Sequence, residues 1–407
     1  MTTWVMRRRA DTLPVRENHA GELEWRVDMW LLTATVALMC ISWVMVSSAS
    51  IDYANQITGS PFYFSLRQGS YVVAACLFMG AVMLVPLSVW RRMDWRFMAL
   101  ALVLLTVVLI PGIGRKVNGS RRWIDLGIMT LQASEVAKWA VMVFLASYFA
   151  RQRELSRYGW KIFAVPAAVV VLVGVLLMQE PDYGALVVIT LAALTLVFLV
   201  GVPLMPLVVL LGLAVILGYI AFMSDAYRLN RLVAYLDPWD EDVVYKAGYQ
   251  LTQSLIAIGR GEWFGVGLGN SVQKLFYLPE AHTDFVFSIW AEETGLVGSL
   301  VVLGLFGLLV GRMVVIAQAA LQRGEYFGAQ AALGVAWIVA YQAFVNLGVA
   351  TGLLPTKGLT LPLVSYGGSS LIVVAGMVAM VLRLSFENRA GFPATRDRVM
   401  PAEARHG

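Results

Sequence analysis

A chain of 407 residues that is 59% hydrophobic and only 14% charged cannot hide its apolar surface as a soluble globule. Its formal net charge of +5 sits in tails and loops, where solvated charge is the simplest reading, so no nucleic-acid partner is expected. Several apolar runs exceed the roughly 18 residues that mark a membrane span. In lipid every backbone polar group must be satisfied within the element, so these runs are helices. Polar breaks at regular spacing argue against the short alternating strands of a barrel.

In chain order, residues 1–27 form a polar tail. Arg7, Arg8 and Arg9 are followed by more polar sequence rather than by an apolar core with a small-residue cleavage site, so the tail does not read as a cleavable leader. About ten spans follow, near 29–49, 69–89, 97–111, 134–150, 162–178, 185–200, 204–223, 285–310, 328–349 and 365–384. The expected fold is an all-α, polytopic integral membrane helix bundle, residues 28–385, with a long loop at 224–283 between the seventh and eighth spans and a tail at 386–407. No fixed-period repeat and no attached soluble domain is evident. Cys40 and Cys76 both fall within apolar spans and suggest no disulfide framework.

Basic residues cluster before the first span, between the second and third, the fourth and fifth, the eighth and ninth, and in the last tail. The positive-inside rule therefore places both termini in the cytoplasm and the 224–283 loop outside. Arg115, Lys116, Arg121 and Arg122 break that pattern by crowding one short outer loop, and Arg228, Arg231, Lys246, Arg260 and Lys274 occupy the long one. A long loop crosses regardless of its charge, but a short one normally does not. An anionic, phosphate-bearing lipid at the outer leaflet would account for the short cluster. Arg suits bidentate phosphate contacts and Lys supplies a point charge.

Glu135 and Lys138 are spaced to pair on one helix face, and a pair that fixes packing is the simpler reading. Within the long loop, 248–258 reads as an amphipathic helix with Leu251, Leu255 and Ile258 as its apolar stripe, suited to a membrane surface. The glycines of 259–269 lack the flanking strand and crossover helix of a nucleotide fingerprint, so a tight loop returning to the membrane is expected. Pro355, Gly358 and Pro362 break any helix in 352–370, a segment rich in apolar residues. Such backbone near membrane depth needs protein or a watery cavity around it. Lys357 is its only charge, with snorkelling to the headgroups as the plain alternative.

The stretch Leu278-Pro-Glu-Ala-His-Thr-Asp284 is the most informative. It runs directly into an apolar span and so puts Asp284 at the head of a membrane helix, where a carboxylate is costly and is a functional candidate by default. On position alone, capping of that helix by Thr283 or Asp284 and participation in chemistry weigh equally. His282 is a positioning or hydrogen-bonding group, and no His/Cys cluster suggests zinc. Glu292 and Glu293 lie roughly 12 Å further along the helix, at ~1.5 Å per residue, too far to form a catalytic carboxylate pair with Asp284. They are expected to stabilise the bundle or floor a cavity.

Together, Arg67-Gln68, Asn118-Gly-Ser-Arg-Arg-Trp-Ile, Gln132-Ala-Ser-Glu-Val-Ala-Lys, Gly248-Tyr-Gln-Leu, Gly265-Val-Gly-Leu-Gly-Asn-Ser, Leu278 to Phe285, Glu292-Glu-Thr-Gly and the run Gly352 to Ser370 resemble the SEDS family (shape, elongation, division and sporulation). The wording Pro355-Thr-Lys-Gly-Leu-Thr-Leu-Pro is similar to the division branch. Ala133 stands where the family usually has Pro, a residue favoured in a helix's first turn. The resemblance implies a peptidoglycan glycosyltransferase that polymerises lipid II at the outer face of the cytoplasmic membrane, at the division septum. It implies Asp284 as the essential acid, with Lys357, Arg231 and Glu135 at matching motif positions. Arg121, Arg122, His282 and Ser369 join these three as substrate-binding candidates. A divalent cation, Mg or Mn, with Asp284 as a candidate ligand, is the only cofactor contemplated. Implied partners are a class B penicillin-binding transpeptidase, FtsI, the proteins FtsQ, FtsL and FtsB, and membrane lipids.

The chemistry suits the residues. A sugar hydroxyl nucleophile needs a base, and one carboxylate suffices. A polyprenyl diphosphate leaves readily and needs cations rather than an acid, whereas a glycosidase needs two carboxyl groups flanking the bond. A lipid II flippase is the competing expectation. It would want charges through the full thickness and symmetry between halves. A scaffold that only recruits division proteins is the third.

Overall fold

The computed structural model describes residues 27–390 apart from 118, 128, 153–161, 202–211, 213–234 and 242. Helices α1 (Met29–Thr58), α2 (Tyr63–Leu84), α3 (Leu87–Arg92) and α4 (Asp94–Val107) lead into strands β1 (Gly114–Val117), β2 (Ser120–Asp125) and β3 (Thr130–Gln132). Then come α5 (Ala133–Arg151), α6 (Ala164–Gln179), α7 (Tyr183–Val200), α8 (Tyr249–Gly261), α9 (Val286–Gln322), α10 (Tyr326–Ala350) and α11 (Gly368–Arg389). Among the described residues seven helices, α1, α2, α5, α7, α9, α10 and α11, are long and apolar enough to cross a membrane. The protein is a multi-pass helical membrane bundle. The seventh expected span, 204–223, falls almost wholly outside the described residues, as do residues 1–26 and 391–407 of the expected tails, while the first residues of the expected C-terminal tail continue α11 to Arg389.

The helices outrun the sequence-derived spans where polar residues do not break them. Ser47 and Ser50 donate to the carbonyls of Trp43 and Val46, one turn back, so polar side chains continue α1 up to Gly59 at φ 70. α5 and α11 are the most enclosed helices. Both present small residues such as Ala137, Ala140, Ala375 and Ala379 to their neighbours, which lets backbones approach closely where lipid offers no hydrophobic drive. At one end of the bundle Asp28 caps α1 by accepting from Leu31 N at 2.9 Å, and also takes Arg312 of α9 at 2.5 Å and Arg389 of α11 at 3.4 Å. One carboxylate thus ties three helices together.

At the other end, the basic segment expected to be a plain loop is an antiparallel sheet in the order β1-β2-β3. Gly119, just before β2, has φ 82, a left-handed conformation that glycine takes readily in a tight hairpin. β3 runs straight into α5, with Ala133 as the first helical residue.

The 248–258 segment is helical, as α8, but it does not lie freely on a membrane. Ser254, expected off the apolar stripe, is buried and bonds Ser288 of α9 and the carbonyl of Ala350, both at 2.6 Å. The glycine-rich segment after it splices into α9. A continuous helix would bond Leu296 N to the carbonyl of Glu292, and Val297 N to that of Glu293. Instead Leu296 N and Val297 N donate to the carbonyls of Glu262 and Trp263 at 2.9 and 3.1 Å. The freed carbonyls of Glu292 and Glu293 accept from Val266 N and Gly267 N, both at 3.0 Å. The exchange turns on Gly295 at φ 66 and ψ −162. The side chains of Glu292 and Glu293 are buried beside it. Glu292 accepts from Ser271 Oγ and from Val272 N at 3.1 Å. Glu293 accepts from Ser48 Oγ at 2.6 Å and pairs with Lys274 at 3.2 Å. These acids therefore stabilise the bundle by binding segment 271–274 to α9 and α1.

A β-carbon on Gly295 would sit 2.5 Å from Gly265 N, on top of the strain of its left-handed backbone. Gly295→Ala is expected to lower the thermal unfolding midpoint in detergent by the equivalent of at least about 1–3 kcal/mol. Gly324→Ala, at φ 77 but with open space around it, should cost less in the same assay.

Candidate active site

Asp284 stands where two non-helical segments meet. The first, 278–285, closes on itself because Thr283 N, Asp284 N and Phe285 N all donate to the carbonyl of Glu280, at 3.2, 3.1 and 3.3 Å. α9 then starts at Val286 with Phe285 in the cap position and no side-chain cap. Neither Thr283 nor Asp284 caps the helix, so the capping reading of Asp284 falls. The half-buried carboxylate instead lies against the second segment, 351–367: a β-carbon built on Gly358 would be 2.7 Å from Asp284 Oδ2. Glycine there leaves room for a carboxylate directly beside Lys357.

Lys357 does not simply snorkel. Its Nζ lies 5.3 Å from the centroid of the Tyr183 ring, in cation–π range, at the first residue of α7. The apolar residues of its segment, including Leu359, Leu361, Leu363 and Val364, are buried, so its backbone needs internal partners. Two amides of α10 supply them. Asn346 Nδ2 donates to the carbonyl of Leu359 at 2.6 Å and Gln342 Nε2 to that of Thr360 at 3.0 Å. Asn346 Nδ2 also donates to the carbonyl of Asp284 at 2.8 Å, and Tyr366 N to that of His282 at 3.0 Å. The two segments are thereby bound to α10 and to each other.

The His282 ring packs among Tyr53, Phe64 and Tyr366, with centroids 5.3, 5.1 and 5.6 Å away. Burial holds its pKa below the usual histidine value, against the pull of Glu280, so the imidazole is neutral at pH 7. Burial likewise pushes the Tyr366 phenol up. His282 is a packed positioning residue beside the acid.

The sheet adjoins this centre through the turn between α6 and α7. Arg122 donates to the carbonyls of Glu180, at 3.3 Å, and Pro181, and lies 4.0 Å from the Asp182 carboxylate. Asp182 Oδ2 accepts from Ser134 Oγ at 2.7 Å and Gln132 Nε2 at 3.2 Å, while Gln132 N donates to Ser369 Oγ at 3.3 Å. Arg122, Asp182, Gln132 and Ser369 thus form a polar wall running to Tyr183, which carries Lys357. Arg121 does not join it. Neighbours on a strand face opposite ways, and Arg121 reaches the carbonyl of Leu109 at 3.5 Å. Glu135 and Lys138 form the expected pair at 2.8 Å, both buried. Lys138 continues to Gln342 Oε1 at 2.5 Å, so the pair supports the 351–367 segment through Gln342 rather than by facing Asp284. Arg231 lies outside the described residues. Asn346, Gln342, Asp182 and Tyr183 escaped sequence reasoning. Amides inside the apolar 328–349 span were the available signal for the first two.

The family model described as cell cycle protein, covering FtsW, RodA and SpoVE, matches residues 29–390. The chain belongs to the FtsW/RodA/SpoVE family. Among curated relatives, proteins named "Probable peptidoglycan glycosyltransferase FtsW" include one from Halomonas elongata, 48% identical over 382 residues, covering 93% of this chain and 94% of that protein. Another, from Hahella chejuensis, is 50% identical over 367 residues, covering 90% and 91%. Among solved structures, a chain from a peptidoglycan synthase complex that coordinates polymerization and crosslinking superposes with a TM-score of 0.71 at 28% identity, covering 89% of this chain and 98% of that one. The rod shape determining protein RodA of Thermus thermophilus gives 0.65 at 28% identity, covering 91% and 98%. The FtsW/RodA/SpoVE match spans the segments that build the Asp284 centre.

Glu180 gives the site a pH signature. Its carboxyl is buried, and neither oxygen has a hydrogen-bond partner among the described residues. Burial first, and Asp182 second, push its pKa up to about 8 against the pull of Arg122. The folded chain then keeps a proton that the unfolded chain loses near 4.5, so stability should fall as pH rises from about 4.5 to about 8. Thermal unfolding of wild type and Glu180→Gln at pH 5 and pH 8 checks this. The variant should lose that part of the decline.

Proposed function

We propose that this chain is a peptidoglycan glycosyltransferase that polymerises lipid II into glycan strands at the outer face of the cytoplasmic membrane, with Asp284 as general base. The observation that carries the reading is the Asp284 carboxylate held over Gly358, directly beside Lys357, where two hydrogen-bonded non-helical segments meet. Arg312, Arg389, Arg151 and Arg383 gather at the end of the bundle that Asp28 ties, which suits the cytoplasmic side under the positive-inside rule. Both termini are then cytoplasmic and the Asp284 centre faces outward.

Asp284 accepts the proton of the acceptor's GlcNAc 4-hydroxyl as that oxygen bonds the anomeric carbon of the donor sugar. The bond from that carbon to the polyprenyl diphosphate breaks and the electron pair leaves with the phosphate. One carboxylate is enough, because the leaving group needs charge stabilisation rather than a proton. Lys357, kept at the site by the Tyr183 ring, supplies a positive charge next to the acid, and Arg122 borders the same wall. Among the described residues no group of three or more His, Cys, Asp or Glu gathers to hold a cation by protein ligands alone. Asp284 would hold a Mg or Mn ion only together with the substrate's diphosphate, and the ion would then add charge stabilisation for the leaving group. The mechanism therefore takes no step through a protein-held metal.

The likeness to a chain of a complex that coordinates polymerization and crosslinking supports work alongside a crosslinking partner. On the family resemblance, that partner is a class B penicillin-binding transpeptidase, FtsI, at the division septum, with FtsQ, FtsL and FtsB as controlling partners.

With lipid II in detergent and the transpeptidase present, wild type should yield glycan strands and Asp284→Asn none, read by gel. Lys357→Met should lower kcat by about 10²-fold, the scale of one lost charge-stabilising group. Strand synthesis by Asp284→Asn at the wild-type rate removes the assigned base. A wild type that moves lipid II across vesicles without forming strands favours the transporter instead.

A further inference from the structure

Asn346 is a polar residue in the apolar helix α10, 2% exposed. Its Nδ2 has two hydrogens and two acceptors: the carbonyl of Asp284 at 2.8 Å and that of Leu359 at 2.6 Å. The reverse amide orientation would set Oδ1 against two carbonyl oxygens, so the chemistry allows one orientation only. In that orientation Oδ1 is buried with no hydrogen-bond partner among the described residues. A buried unpaired oxygen is unfavourable, and an apolar side chain of similar size would fill the space without it. What the amide provides instead is a span. Its two acceptors belong to the acid's own residue and to the residue two after Lys357.

We propose that Asn346 is a positioning residue for the transferase, setting the separation between Asp284 and the Lys357–Gly358 backbone; this rests on the polymerase reading above. The Asp284 carboxylate lies against Gly358, with Oδ2 2.7 Å from where a β-carbon would stand, so a drift of either segment moves the base relative to the backbone that carries Lys357. Gln342, one turn earlier on α10, holds Thr360 of the same segment but, through Lys138, belongs to the Glu135 pair. Asn346 is the residue of this helix that reaches both halves of the centre. It touches their main chains only, so its effect must pass through Asp284 and Lys357.

The test uses the full chain with the transpeptidase and lipid II, with rates taken per folded enzyme from a parallel thermal-unfolding measurement. Asn346→Asp comes first, because it keeps size and shape while replacing the donating nitrogen with an acceptor oxygen facing two carbonyls. Asn346→Ala is the second variant. Both should lower kcat by about 10²-fold, the cost of a misplaced reacting group, with KM within about threefold of wild type. Tyr341→Phe removes a different α10 hydrogen bond, the 2.7 Å contact with Thr195, and should lower the unfolding midpoint while leaving kcat unchanged. A kcat per folded Asn346 variant within threefold of wild type overturns the proposal, because the residue then only stabilises. A raised KM with kcat held also overturns it, because the residue then shapes binding. If wild type itself forms no strands, the polymerase reading falls, and the inference with it.

Discussion

The architecture of the site depends on one constraint: backbone that leaves the helical state at the head of a membrane bundle must find hydrogen bonds inside the protein. Segments 278–285 and 351–367 both leave it. The first bonds into the carbonyl of Glu280, and the second borrows the amides of Asn346 and Gln342. Satisfying these groups also sets the Asp284 carboxylate against Gly358, the neighbour of Lys357 in the chain. The placement of the candidate groups is thus a by-product of backbone bookkeeping on α10.

Charge is handled differently at the two ends. Around Asp28, Arg312 and Arg389 neutralise a buried carboxylate and join helices. The deeper acids Glu135, Glu292 and Glu293 are likewise matched by Lys138, Arg260 and Lys274. Each of these acids is consumed by structure. Asp284 keeps part of its surface exposed, against Gly358, whereas Asp28, Glu135, Glu292 and Glu293 are buried. That difference in access marks the candidate base among these acids.

The helical, polytopic character was legible in the sequence, because apolar run length is a one-dimensional signal, and an acid beside such a run marks Asp284 as a candidate in the same way. The pairing of Glu135 with Lys138 was legible for the same reason, being a matter of helix spacing. The sheet was less legible, because the Arg115–Arg122 stretch is dominated by charges that carry no strand periodicity. Arg121 and Arg122 are alike in sequence, yet strand alternation sends them to opposite faces. Lys357 meeting Tyr183, or Asp284 lying over Gly358, joins residues far apart in the chain, and no periodicity encodes that. Asn346 was hidden by its surroundings, since one amide hardly alters the hydropathy of an otherwise apolar helix.

The exchange of bonds at Gly295 also fixes the length of a stretch of chain. Glu262, Trp263, Val266 and Gly267 each occupy a place in the ladder of another helix, two as acceptors and two as donors. Adding or deleting a single residue between Trp263 and Val266 would put the two exchanged pairs out of phase with each other. This short stretch is therefore closed to insertions and deletions, whereas the exposed side chains of Glu262, Trp263 and Phe264 can change without disturbing the count.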